Sequence, residues 1–358
     1  MNFDPPGAGV DAPLQLVRYF QSVQSPSSPC ISIAIVCWNS AAHLPRCLDS
    51  LAGQTFTDFE VIVIDNGSAD GGVDGLSEQY PGLQLRVEKL GSNRGFAAAN
   101  NIAARLARGE WLALLNADAF PQPDWLERLL GAAGESPGEC FFTSRQIQAD
   151  APERLDGEGD TYHVSGLAWR RNFDAPVYPP RGRQEVFSAC AAAAMYPRQA
   201  FLEAGGFDED YFSYFEDVDL GFRLRLRGLN CIFVPEAVVH HVGSASTSRR
   251  SDFVVYHGHR NLVWTYFKDM PASLLWLYLP LHLLMNLYYL VTLTFKGSAG
   301  AIWRAKCDGL FGIPAALRKR RSVQGLRTAP AGRLQRAMSR GLRDLLFQRA
   351  QRRRGAGD

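Results

Sequence analysis

Paired cysteines are missing from this sequence. Its seven cysteines (30, 37, 47, 140, 190, 231 and 307) form no CxxC pair and no cluster with histidine at zinc-finger spacing. A small disulfide scaffold and a structural zinc module are thereby excluded, and reduced thiols of a cytosolic protein are the expectation. The opening residues, MNFDPPGAGVDAP, contain no basic stretch followed by an apolar run, so a cleaved secretory signal is not expected. No internal repeat is visible. Overall charge is nearly absent, at +2 over 358 residues, but each part of the chain is poor in one sign. Residues 1–295 carry 22 Lys/Arg against 33 Asp/Glu, a net −11, and residues 296–358 carry 16 against 3, a net +13. An acidic body with a basic end suits contact of that end with an anionic surface. Long uncharged runs are scarce too, residues 270–295 being the membrane-like one. With 46% hydrophobic and 21% charged residues the composition is that of a globular protein of about two domains, which rules out wholesale disorder and collagen.

Alternation is what the sequence does contain. ISIAIVCWN (31–39), FEVIVIDNGS (59–68) and EWLALLNAD (110–118) are short apolar runs that predict buried strands, and LQLRVEKL (83–90) predicts a further strand between the last two. Between them the pattern predicts a helix over 43–52, a short turn over 75–80 and an Ala-rich helix over 96–109 stopped by glycine. Such alternation implies βαβ units and a parallel, doubly wound α/β sheet with right-handed crossovers. Residues 1–29 end in a Ser/Pro-rich leader, and the proline-rich residues 150–186 read as loops or short strands. Residues 185–207 read as a strand and a short helix closed by Gly205-Gly206. Residues 214–228 read as a helix pairing Asp219 with Arg223, and residues 230–246 as a strand, a turn and a second strand ending in paired histidines.

Ligands of such sheets bind beyond the carboxyl ends of the strands. Strands one, two and four end in Asn39, Asp65 and Asn116-Ala117-Asp118, one polar constellation. Each member has two readings. Asp118 either caps a helix starting near Pro123 or ligates a divalent cation, since Mg²⁺ and Mn²⁺ take one or two carboxylates plus substrate phosphates. Asp65 either shapes the Asp-Asn-Gly-Ser turn or accepts from a base N–H or ribose hydroxyl. Glu216-Asp217-Val218-Asp219 either complements a helix dipole or supplies a general base, and the further acids at 208, 209 and 210 exceed what a dipole needs. His241 is either a structural hydrogen-bonding residue or a metal ligand beside a carboxylate.

ISIAIVCWNS, VIVIDNGSADG, NRGFAAANN, LLNADAFP, GGFDEDYFSYFEDVDLGFRLRLRG and HHVGSAS, in this order, resemble the family 2 glycosyltransferases of GT-A fold. The resemblance is greatest to bacterial rhamnosyltransferase-like members that build surface polysaccharides. It runs from about Ile31 to Ser246 and extends through HGHRNLVWTYFKDMP (257–271). It implies a GT-A catalytic domain over 30–255 with a mostly parallel sheet, while the apolar run and basic end suggest a helical, membrane-associating region over 256–358. It further implies that Asn39 and Asp65 contact the nucleotide base and ribose, and that Asn93, Arg94, Gly95, Phe96 and Asn100 line the nucleotide-sugar pocket. Asn116-Ala117-Asp118 stands for the family's DXD motif with Asn in the first place, one charge short. Asp118 and His241 would hold Mn²⁺ or Mg²⁺, His240 being the neighbouring alternative. Asp217, with Glu216 beside it, stands for the catalytic base. The implied reaction moves a sugar, rhamnose foremost, with inversion from a dTDP- or UDP-sugar to a glycan or lipid-linked glycan.

Residues 270–295 are long enough to span a bilayer. A single crossing would place the +13 end outside, against the positive-inside tendency, and Pro280, His282 and Asn286 interrupt the run. The alternatives are an in-plane or re-entrant hairpin, with aromatic residues 276, 278, 288 and 289 at the interface and the basic end on anionic lipid, or two core helices of a soluble domain. The expected location is the cytoplasmic face of a bacterial inner membrane. The clusters at 318–321 and 351–354 have little aromatic interleaving and accompany no nucleic-acid motif, so nucleic acid is not an expected partner. Two other functions stay open. A nucleotidyltransferase would carry a Gly-rich basic loop where this chain has CWNSAAHLPRC, and an inactive scaffold or partner subunit would be compatible with Asn116.

Overall fold

The computed structural model describes residues 28–136, 140–243, 251–341 and 344–345. Most of the leader expected over 1–29, residues 244–246 of the histidine motif and the basic cluster at 351–354 lie outside the described residues. The first half follows the expected alternation: β1 (Ile31–Cys37), α1 (Leu44–Ala52), β2 (Phe59–Asp65), α2 (Leu76–Gln79), β3 (Leu85–Lys89), α3 (Gly95–Leu106) and β4 (Trp111–Asn116). Then come β5 (Ala119–Pro121), α4 (Trp125–Glu135), β6 (Cys140–Gln148), β7 (Leu155–Gly157), β8 (Asp160–Tyr162), β9 (Ala168–Arg170), β10 (Gln184–Val186), β11 (Ala193–Pro197) and α5 (Arg198–Glu203). A 3₁₀ turn (Glu209–Tyr211) precedes α6 (Glu216–Leu226) and β12 (Asn230–His241). The chain continues with α7 (Asp252–Asp269), α8 (Ala272–Thr294), α9 (Ala299–Phe311), α10 (Ile313–Gly325) and α11 (Ala331–Ala337).

The main sheet runs β10-β12-β6-β11-β4-β1-β2-β3, with β5 on β12 and β7 on β6; β8 and β9 form a separate ribbon. Strands β4, β1, β2 and β3 are parallel, as expected, whereas β11 lies antiparallel to β4 and β6, so the other half is mixed. Alternate residues of each central strand serve opposite faces. Ile33, Ile35, Val61 and Val63 pack with α1 and α4, and Ala34, Ile62, Ile64, Leu112 and Leu114 pack with α3 and α6. Coverage on both faces is why these strands read as continuous apolar runs.

Three expectations are corrected. Gly109 does not close α3, which ends at Leu106 because Ala107 turns extended. Glycine at 109 instead permits close approach: a Cβ there would meet the Ser32 nitrogen at 2.6 Å, and its N–H donates to Ser32 Oγ at 2.8 Å. Residues 230–241 form one strand, not two. Pro235 cannot donate to a ladder, and the pairing with β6 jumps between Val234 and Val238, so a bulge absorbs the interruption. Residues 272–294 form one continuous helix, not a hairpin, with Pro280 inside it.

Helix α6 is buried on every side. Leu220 and Leu224 face the sheet, and Val218, Phe222 and Leu226 face Tyr266 of α7, Leu274 and Leu275 of α8, and Leu334 of α11. Asp219, Arg223 and Arg225 are paired in place. Asp219 accepts from Arg223 at 2.7 Å and from Lys268 at 2.5 Å, and Lys268 also reaches Asp208 at 2.6 Å. Removing one partner from a buried network of this kind costs about 3–5 kcal/mol. The helices beyond residue 251 thus fix the element that carries Asp217.

Candidate active site

The strand ends form a row. Cys37 pairs with Asp65 and Val36 with Asn116, so β2, β1 and β4 finish side by side. Across the next boundary Asn116 N donates to Ala192 O at 3.0 Å, and Ala191 N donates to Asp217 Oδ2 at 3.4 Å. Backbone pairing carries the row from Asp65 through Asn116 to Ala192, and the Ala191 N–H adds the Asp217 carboxylate to it.

Asp118 does not cap a helix. Strand β5 intervenes before α4, whose N-cap is Asp124. Instead Asp118 Oδ1 lies 3.3 Å from His241 Nε2, placed there because β12 pairs with β5 and sets His241 opposite Ala119. Asn116 Nδ2 is also 3.3 Å from that nitrogen. On the ring's other side His241 Nδ1 donates to Asp156 Oδ2 at 2.7 Å, and Arg170 Nη1 donates to the same oxygen. His241 is buried; burial opposes its charge, but Asp118 and Asp156 outweigh that and hold its pKa above the usual value. Asp118 is also mostly buried, yet His241 keeps its carboxyl below the usual range. His240 points elsewhere, with its pKa lowered by burial and by Arg46. Of the two histidines, His241 is the one beside Asp118.

This donor set fits a hard divalent cation. Asp118 Oδ1 and Asp156 Oδ2 flank the two ring nitrogens and favour a positive charge there, and a divalent cation between Asp118 and Nε2 would take the place of the Nε2 proton while Asp156 keeps the ring oriented through Nδ1. Among the described residues no three His, Cys, Asp or Glu side chains form a closed metal cage. A cation held here would take further ligands from phosphate or water, as Mg²⁺ and Mn²⁺ commonly do.

Beyond Arg170 lies a second acidic group. Asp160, Glu216 and Asp217 interact electrostatically, and Arg170 acts on Asp160 and Asp217. Burial, then the Asp217 charge, pushes Asp160 and Glu216 well above the carboxylate range. Burial raises Asp217 as well, opposed by the N–H groups of Val218 and Ala191 and by Arg170. Three carboxyl groups here cannot all ionise freely, so protons are shared among them.

The loop before α6 is strained. Phe212, Tyr214 and Phe215 have φ of 65°, 66° and 71°, a region L-residues rarely occupy. Asn261 of α7 holds it with Nδ2 donating to the carbonyls of Tyr211, Ser213 and Tyr214 at 3.1, 3.0 and 2.7 Å. Arg260 Nη2 donates to Asp210 O and Tyr211 O, both at 3.0 Å. The Arg-Asn pair of the 257–271 motif thus clamps the backbone that leads into Glu216 and Asp217.

At the other end of the row, Asp65 Oδ1 accepts from Ser68 N at 2.9 Å, so the turn reading holds for that oxygen. Asn39, at φ 51°, accepts from Ala69 N at 2.9 Å. Asn93 Oδ1 accepts from Asn66 Nδ2 at 3.0 Å and Gly95 N at 2.9 Å, while Arg94 N donates to Asn66 Oδ1 at 2.8 Å. This clasp ties the loops after β2 and β3 together. Gly95, at φ 85°, allows Phe212 to lie against it, since a Cβ there would meet the Phe212 ring at 2.6 Å. Phe96 and Asn100 are engaged internally: Phe96 packs against Phe207, and Asn100 Nδ2 donates to Phe96 O at 3.0 Å within α3. Sequence reasoning missed Asp156, Asp160 and Arg170. They lie in the irregular region, where no periodicity marks them.

A family model described as Glycosyl transferase family 2 matches residues 32–204. N-acetylglucosaminyl-diphospho-decaprenol L-rhamnosyltransferase of Mycobacterium tuberculosis is 30% identical over 247 residues, covering 61% of this chain and 78% of that protein. O-antigen biosynthesis protein RfbC of Myxococcus xanthus is 31% identical over 246 residues, 63% of this chain and 18% of that protein. Among solved structures, GalNAc-T7 with UDP, GalNAc and Mn²⁺ superposes with a TM-score of 0.57 at 18% identity, over 69% of this chain and 49% of that one. Mannosyltransferase PcManGT from Pyrobaculum calidifontis, in complex with GDP-Man and Mn²⁺, gives 0.51 at 18% identity, over 88% and 93%. The mixed α/β sheet and these neighbours define a GT-A fold. The chain belongs to glycosyl transferase family 2.

Proposed function

We propose that this chain is an inverting glycosyltransferase of cell-envelope glycan synthesis, moving a sugar from a nucleoside diphosphate to a lipid-linked glycan. Rhamnose from dTDP is the favoured donor, on the similarity to the mycobacterial rhamnosyltransferase, and UDP-sugars are the alternative. Residues 30–255 would form the catalytic unit and 256–358 a helical region at the cytoplasmic face of the membrane. The observation that carries the reading is His241, fixed by Asp156 on one side and facing Asp118 and Asn116 on the other, in line with Asp217.

In this reading Asn39 and Asp65 bind the base and ribose, and the loop of Asn93, Arg94 and Gly95 closes over the nucleotide. Asp118 and His241 would hold Mn²⁺ or Mg²⁺, which supplies Lewis-acid stabilisation of the charge developing on the departing diphosphate. The acceptor hydroxyl attacks the anomeric carbon from the face opposite the diphosphate. A new C–O bond forms as the old one breaks, and the hydroxyl proton passes to Asp217. Arg170 and two backbone N–H groups temper the rise in Asp217's pKa and so favour the ionised base. Such a base contributes about 10²–10⁴-fold.

Asp217→Asn is expected to bind donor as the wild type does and to lose turnover by about 10²-fold or more. Calorimetry with the nucleotide sugar and release of nucleoside diphosphate measure the two. Wild-type turnover in this variant rejects Asp217 as base.

A further inference from the structure

Helix α8 has two unlike faces. Tyr278, His282, Asn286 and Tyr289 follow one another at intervals of four, four and three, a single stripe over about three turns. Each is fastened to the protein. Tyr278 OH accepts from Gln335 Nε2 at 2.6 Å, and His282 Nδ1 donates to Ser165 O at 2.8 Å with its ring stacked on Tyr266 at 3.8 Å. Asn286 Oδ1 accepts from Lys306 Nζ at 2.6 Å, and the Tyr289 ring lies 5.0 Å from His259. The residues that interrupt the apolar run are therefore the ones that tie the helix down.

The other face is apolar and uncovered. Trp276, Leu283, Leu284, Leu287 and Val291 are 70%, 55%, 60%, 55% and 46% exposed, and Phe295 just past the helix is 86% exposed. Their spacing also keeps to one side. Helix α9, packed on α8, adds Trp303 and Phe311 at 53% and 84%. Isolated exposed apolar residues need no explanation, but stripes on two adjacent helices do. The surrounding charge has one sign: residues 270–343 contain 12 Lys/Arg and one acid, Asp308. Lys296, Arg304, Arg318 and Arg321 are exposed within this stretch.

We propose that α8 lies in the plane of an anionic bilayer, its Trp276–Val291 stripe and the Trp303 and Phe311 side chains in one leaflet and its Tyr278–Tyr289 stripe on the protein. A crossing helix would have to part from Ser165, Lys306 and Gln335, and would leave the buried Leu274 and Leu275 without their packing. An apolar face of this kind beside basic residues binds the interface without spanning it. Of the four aromatic residues expected at the interface, Trp276 is exposed to it, while Tyr278, Tyr288 and Tyr289 pack against the protein. This deepens, and rests on, the proposed use of a lipid-linked acceptor.

The test is flotation of the full chain, carrying a tag after Asp358, with vesicles of phosphatidylcholine alone or mixed with phosphatidylglycerol. Wild type should float with the anionic vesicles. Trp276→Glu/Leu284→Glu/Leu287→Glu should lose at least about tenfold of that binding while keeping its melting temperature and nucleotide binding. Trypsin added outside should remove the tag from the bound chain. Failure of wild type to float overturns the proposal, as does undiminished flotation of the variant. A protected tag means that α8 crosses, and a dimer that the three substitutions dissolve, without vesicle binding, means that a second copy covers the face. Flotation is read without donor, so its failure and a failure of donor turnover are separate results.

Discussion

At the scale of single residues, the site turns on His241. Sequence alone offers two adjacent histidines, and only strand pairing decides between them: β12 sets 241 opposite Ala119 and turns it toward Asp118. Asp118 and Asp217 were legible because they follow recognisable apolar or acidic signals. Asp156 was not, since a lone acid in an aperiodic stretch carries no mark of the imidazole it will meet. Its consequence is testable. Asp156→Asn should weaken Mn²⁺ binding by about 10–100-fold, because a partner that orients a ligating histidine and raises its basicity typically matters by that factor. Calorimetry of the chain with Mn²⁺ reads this without turnover. Unchanged Mn²⁺ affinity would remove Asp156 from the support of the site.

At the scale of elements, β1, β2 and β4 were readable because burial on both faces leaves continuous apolar runs, while β3, at the sheet edge, is only half-buried. β12 was misread as two strands because Pro235 resembles a terminator, while in three dimensions the long pairing with β6 outweighs one lost donor. Helix α6 lacks an apolar stripe because it is enclosed by sheet and helices together, a context no local pattern encodes. The junction of α7, α8 and α9 holds a further prediction. Lys306 is buried among neutral partners, Asn286 Oδ1 at 2.6 Å and His259 O at 3.3 Å, and burial lowers its pKa to about 7. In the unfolded chain it would titrate near 10.4. Between those values the unfolded state binds the proton and the folded state does not, so this group makes stability rise with pH across that window. Lys306→Met should remove that contribution, a difference of the order of a few kcal/mol between pH 7 and 10.5. Denaturant unfolding at a series of pH values measures it, and parallel curves for the two proteins would refute the burial of a neutral lysine.

At the scale of the whole molecule, the acidic residues 1–295 and the basic residues 296–358 meet at Asp208. Lys268 of α7 and Lys319 of α10 both reach Asp208, and Lys268 also reaches Asp219, two residues from the proposed base. Helices α7 and α10 and the helix that carries Asp217 are therefore one packed unit. The sequence could suggest contact with lipid but not its geometry, because which face of α8 is fastened to protein depends on residues more than a hundred positions away, such as Ser165.

The most direct test of the central claim is calorimetric titration of dTDP and UDP into the full chain with and without Mn²⁺. Mn²⁺ should tighten binding of the preferred nucleotide by about tenfold or more in wild type and in Asp217→Asn, and by little in Asp118→Asn. Equal Mn²⁺ enhancement in wild type and Asp118→Asn would show that the diphosphate does not meet its cation at the strand ends.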